Sequence, residues 1–143
     1  MTDYDLFICA LCIYREARGS SRTAMEAVYR VIRNRSEDAR KRWPRTLSEV
    51  VLEPYQFSSF NKSDPQCTVF PVPGNILQWD IWQDCVGAVR LVRVEDITKG
   101  ANFYHDTSIA PPFQQWLGPH ATLDDLLKLK TFEAATLHFY RIP

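Results

Sequence analysis

Glu16 lies near the end of the segment LFICALCIYREARG, residues 6–19, in which every residue from Leu6 to Tyr14 is apolar or aromatic. A surface helix keeps its acids on one wet side. A carboxyl closing a helix that is apolar all round must face a cleft or be buried against a partner. Carbonyls exposed at a helix's last turn carry partial negative charge, and desolvation acts in the same direction, so the carboxyl's pKa rises. A carboxyl that keeps its proton near neutral pH can donate it to a leaving oxygen, such as that of a glycosidic bond. Arg15 and Arg18 oppose the shift without sharing the face of Glu16, and a plain ion pair at a helix end is the alternative.

A second carboxylate would come from Glu26, Glu53, Asp64, Asp96 or Asp106, none of which sits in a partner motif. Glu26 follows Thr23 at capping-box spacing, while Glu53 and Asp64 each precede a proline and suit turns. Cys9 and Cys12 form a C-x-x-C inside an apolar helix, where inert buried thiols are expected, and a Cys67–Cys85 bridge is the other option. His105 and His138 can pair across strands; a three-histidine metal site would also need His120. Seven basic residues between positions 30 and 45 (Arg30, Arg33, Arg35, Arg40, Lys41, Arg42 and Arg45) form either a solvated helix face or an anion-binding patch.

The elements that must hold these groups follow from periodicity. Thr2 or Asp3 caps a first helix running to about Arg18, with Gly19 as its stop. TAMEAVYRVIRNR forms a second helix with Ala24, Val28, Val31 and Ile32 inward, and RTLSEVVLE a short third ended by Pro54. The stretch PYQFSSFNKSDPQCTVFPVPGN is a long loop, of a length that is usually functional. A fourth helix spans about Ile76 to Val94, with Leu77, Ile81, Cys85, Ala88 and Val92 on one face. ANFYHD and TLHFYRI are short strands, separated by SIAPPFQQWLGP and a small helix, TLDDLLKLK. The fold class is therefore α+β, mainly helical with a central buried helix and a small antiparallel sheet, in one domain over residues 1–143.

Lys plus Arg equals Asp plus Glu at 17 each, so net charge points to no partner. No stretch approaches the roughly 18–20 apolar residues of a membrane span. The first residues lack the basic region of a signal peptide, so synthesis in the cytoplasm is expected, with another agent carrying the protein to any outside target.

Five segments in order, IYREARG, AVYRVIRNR, EPYQFS, DITKGANFYHD and HFYR, resemble the spore-cortex-lytic (SleB-like) cell-wall hydrolase family. The likeness runs from residue 7 to 141 and is thinnest over Thr107–Ala135, where the prolines and Trp116 carry it. It implies a lysozyme-like fold and cleavage of peptidoglycan between N-acetylmuramic acid and N-acetylglucosamine, with no cofactor or metal. The glutamate of the E-A-R-G motif, here Glu16, is then the catalytic acid, and many members are lytic transglycosylases that leave a 1,6-anhydromuramic end. In QFS, Gln56 and Ser58 would meet an acetamido group or sugar hydroxyl, with Phe57 packed underneath. Tyr104 and His105 point to opposite faces of a strand, and the family pattern favours Tyr104 as the one beside the reaction centre.

Departures are Ser20 after E-A-R-G, and Lys99–Gly100 where a glycine pair is usual. The expected partners are peptidoglycan glycan strands, bound by a monomer without membrane insertion or nucleic acid. The missing export signal suits a phage-type endolysin or a trimmed precursor. A hydrolysing muramidase, a non-catalytic wall-binding relative and a DNA binder using the basic helix are the competing readings.

Overall fold

The structure, a computed structural model, describes all of residues 1–143. In chain order it holds α1 (Asp3–Ala17), α2 (Arg22–Ser36), α3 (Leu47–Leu52), α4 (Ile76–Arg90), β1 (Phe103–Asp106), α5 (Phe113–Leu117), α6 (Leu123–Leu127), β2 (Lys130–Ala134) and β3 (Leu137–Tyr140). No helix is long and apolar enough to cross a membrane.

The apolar run of α1 is enclosed by α2, α3 and α4, and every residue from Ile8 to Arg15 is buried. Thr2 caps this helix: its hydroxyl accepts from the Asp5 amide at 3.0 Å, and the Asp5 carboxylate accepts the Thr2 amide in return. The other Asp5 oxygen takes the Ser48 amide of α3, also at 3.0 Å, so one carboxylate fixes the start of two helices. These donors hold Asp5 far below its ordinary pKa. Gly19 is not the left-handed stop expected of it. Arg18 stays right-handed, and the Ser20 amide closes the turn on the Ala17 carbonyl at 2.9 Å.

The capping box expected at Thr23 and Glu26 does not form. Ser21 caps α2 through the Ala24 amide at 3.1 Å, which moves Glu26 into the second turn and turns it inward. There Glu26 is buried and accepts the Arg93 amide at 3.2 Å. The fourth helix stops at Arg90 rather than near Val94. Buried Arg30 collects the carbonyls of Arg93, Val94 and Glu95, which must leave the helical direction to reach it. Its buried face is Trp82, Cys85, Ala88 and Val89, while Leu77 is exposed.

The sheet is antiparallel in the order β1-β3-β2, pairing Tyr104 with Phe139 and His105 with His138. β2 was not expected: only its first residue, Lys130, lies in the segment read as a small helix, which stops at Leu127, and β2 pairs with β3 with a bulge between Lys130 and Phe132. Helix α5 is likewise a five-residue element within a segment rich in proline. Lys99 and Gly100 both take positive φ, at 55° and 87°, so the lysine follows the backbone path of a glycine.

The long loop is tied down from α1. Arg15 donates from Nε to the Val69 carbonyl (3.1 Å), from Nη1 to Ser59 (3.3 Å) and from Nη2 to Cys67 (2.9 Å). Its guanidinium also lies over the rings of Phe60 and Phe70. All four cysteines are free, so Cys67 and Cys85 do not pair. Burial pushes the Cys9 and Cys85 thiols up to about 12. Replacing Arg15 by Ala is expected to cost about 3 kcal/mol, since hydrogen bonds from a charged donor are each worth roughly 1.5–3 kcal/mol and do not add. Urea denaturation measures the loss, and hydrogen exchange should quicken across residues 57–70 while α2 keeps its protection.

Candidate active site

Glu16 opens into a cleft of about 700 Å³. Its lining comes from the end of α1, from Arg35 on α2, from the loop residues Tyr55, Gln56 and Ser58, from all four residues of β1, and from α5. The same helix that is core along its length thus delivers its last acid to a hollow. Burial raises Glu16 from its ordinary 4.5 to about 7. The Tyr104 hydroxyl holds it back, the charge of Asp64 pushes it further up, and the charge of Arg35 pulls it down.

Of the residues singled out from the sequence, Glu16, Gln56, Ser58, Tyr104 and His105 line this one cleft. The Gln56 side-chain carbonyl accepts from Trp43 Nε1 at 3.0 Å, which fixes the side chain at the cleft's edge. Phe57 lies below the surface, 2% exposed and against Tyr104 at 6.5 Å between ring centroids, so it supports the wall without lining it. Tyr104 is half-buried, and desolvation together with the neighbouring Glu16 charge raises its pKa well above the ordinary phenol value.

Tyr104 and His105 both border the cleft, contrary to the strict alternation expected of a strand. β1 is an edge strand, and the cleft curves around it far enough to reach both sides. His105 stacks on Tyr140 at 5.6 Å and meets His138 edge-on at 5.8 Å. Burial, then the proximity of His138, lowers its pKa, so the imidazole is neutral near pH 7. His120 lies elsewhere, beside Gly118 and Pro119, and no three His, Cys, Asp or Glu side chains are grouped to hold a metal.

Arg35 was legible only as one of seven basic residues, yet it stands in the floor of the site. It is buried, its Cζ lying 5.3, 5.1 and 5.2 Å from the ring centres of Trp43, Phe57 and Phe103, and its Nε donates to the Asn102 carbonyl at 2.8 Å. Nη1 has no partner within the chain, and burial lowers the guanidinium to about 10, still a full cation at neutral pH. The basic run therefore dissolves into separate roles. Arg30 and Arg35 are internal, Arg42 pairs with Asp38 at 2.9 Å and Arg33 with Glu37 at 3.0 Å, while Arg40, Lys41 and Arg45 are exposed beyond the end of α2, so the seven do not share one helix face.

Residues 19–125 match the family model described as Cell Wall Hydrolase. The chain belongs to the cell wall hydrolase family. That match begins three residues after Glu16, so the acid itself is placed by the geometry of the cleft rather than by the matched span. The fold is similar to the catalytic domain of the germination-specific lytic transglycosylase SleB from Bacillus anthracis, with a TM-score of 0.65 at 23% identity, covering 99% of this chain and 97% of that one. The catalytic domain of the Bacillus cereus SleB protein gives a TM-score of 0.64 at 23% identity, covering 99% and 92%. No curated protein sequence matches the chain. The lysozyme-like, mainly helical α+β architecture of this cell wall hydrolase is thus the one expected from its sequence.

The raised pKa of Glu16 has a cost in stability. Unfolded, the carboxyl titrates near 4.5; folded, near 7, so the native state binds the proton more tightly. The contribution of Glu16 to native stability is therefore fullest below about pH 4.5 and is lost as pH rises through about 7, by on the order of 3 kcal/mol. The Glu16→Gln protein is expected to be more stable than the parent at pH 8 by about 2–3 kcal/mol, with the gap closing at pH 4. Urea denaturation at the two pH values measures it. In Tyr104→Phe, loss of the hydroxyl should move the Glu16 titration to higher pH, read from the alkaline limb of the activity profile.

Proposed function

We propose that this cell wall hydrolase cleaves the β-1,4 bond between N-acetylmuramic acid and N-acetylglucosamine in peptidoglycan, as a lytic transglycosylase with Glu16 its single acid and base. The observation that carries this reading is that Glu16 alone among the acids of the cleft is set to hold its proton near neutral pH. Asp106, the other carboxylate of the lining, accepts from the Ser108 amide at 2.9 Å and from the Thr136 hydroxyl at 3.0 Å, and these donors keep it ionised. Asp64 lies outside the lining and caps a short turn through the Gln66 amide at 2.8 Å. Hydrolysis by two carboxylates needs its second one ionised and free to reach water or the sugar, whereas both Asp106 oxygens already accept hydrogen bonds within the chain.

In the first step Glu16 protonates the glycosidic oxygen, and the bond to the muramic C1 breaks. The carboxylate left behind is stabilised by the Tyr104 hydroxyl and the fixed charge of Arg35, the two groups that lower its pKa. In the second step Glu16 takes the proton of the muramic C6 hydroxyl as that oxygen bonds to C1, which closes a 1,6-anhydro ring and restores the acid. The Gln56 amide, the Ser58 hydroxyl and His105 border the same cleft and are suited to hold acetamido and hydroxyl groups in register.

Digestion of purified peptidoglycan followed by mass spectrometry of the muropeptides tests the reading. Products lighter than hydrolysis products by one water are expected, lost by about 10³-fold or more in Glu16→Gln, where no group can donate the proton. Asp106→Asn is expected to lose less than about tenfold if one carboxyl suffices. Reducing muramic ends would instead make the protein a hydrolysing muramidase and Asp106 its second carboxylate.

A further inference from the structure

Tyr55 is the one aromatic residue of the cleft whose position nothing inside the fold explains. Its φ is +65°, in the left-handed region where a side chain with a Cβ is strained and glycine or asparagine is the usual occupant. Its side chain is 84% exposed, and it joins none of the ring pairs that fix the other aromatic residues of the site. By contrast, Trp116 packs against Phe103 at 5.0 Å and Tyr140 at 5.9 Å, and Trp43 against Phe103 at 5.7 Å, so their places follow from packing. The next residue is firmly held: the Gln56 amide donates to the Glu53 carbonyl at 3.2 Å, and its side chain is bound to Trp43. The chain thus holds a strained backbone that leaves a bare phenol ring on the cleft wall, in a hollow shared with Ile109, Pro112 and Trp116. Strain kept at such a position, with no packing to reward it, points to a ligand.

A pyranose ring offers a flat face of C–H groups with hydroxyls around its edge. The face suits an aromatic π surface, and the edge suits a phenol hydroxyl that can donate or accept. We propose that Tyr55 is a stacking platform for a sugar ring of the glycan strand, one that binds the strand without taking part in bond cleavage. This rests on the glycosidase reading above. The ring carries no acid or base that the reaction uses, so its contribution lies in affinity and in the length of strand the cleft retains.

The test uses the Glu16→Gln protein and soluble, peptide-free glycan strands, with affinity measured by isothermal titration and folding by thermal denaturation. Adding Tyr55→Gly should weaken binding about fivefold or more, without lowering the thermal midpoint, because glycine relieves the strained φ. Adding Tyr55→Phe instead should recover the affinity, since the stacking face is kept. In the active protein, Tyr55→Gly should raise KM and leave kcat within about twofold. Equal affinity with and without the ring would overturn the platform while leaving the glycosidase reading intact. Weakened binding with a lowered midpoint would also overturn it, by making the ring structural. Failure of the parent to bind any strand, together with an absence of cleavage products, would overturn both.

Discussion

The enclosure of α1 from Ile8 to Arg15 is the constraint from which the site follows. Two buried turns leading into Glu16 lend it little water, so the carboxyl is desolvated by the packing that stabilises its own helix. The carboxyl's reactivity and the core's density are then one arrangement. Its surroundings supply a limited correction, a phenol and a cation that ease ionisation without making it the resting state. The acid–base cycle proposed for Glu16 needs this intermediate setting, since a carboxyl locked in either form could perform only half of it.

Arginines do much of the structural placement. Arg15 gathers three loop carbonyls, Arg30 gathers three beyond α4, and Arg35 anchors on Asn102 at the start of the sheet. In each case a planar fork on a rigid helix meets backbone that has no regular partner of its own. This settles the polar groups of irregular segments and leaves each guanidinium flat against aromatic rings or buried within the fold.

Much of this was legible in the chain itself. The helices α1 to α3, the strands β1 and β3 and the role of the long loop all followed from periodicity and from Pro and Gly punctuation, because each depends on residues within a few positions of one another. The cap of α2 and the end of α4 did not, because Ser21 competes with Thr23 for the same start, and Arg30 draws the last turn open from sixty residues away. β2 was hidden for a similar reason. KTFEA has little strand character of its own and becomes a strand by pairing with β3.

The sequence by itself determined that a lone carboxyl would lie at the end of an apolar helix, a property of residue type and order, while the placing of QFS and FYHD near it came from the resemblance to the family. Only the tertiary structure decided that Phe57 lies under the wall, that Tyr104 and His105 both border the cleft, and that Arg35 leaves a charged face to become the cation beneath the acid. Burial decides each of these, and burial is set by which distant segments come to lie against a residue, something no local pattern records.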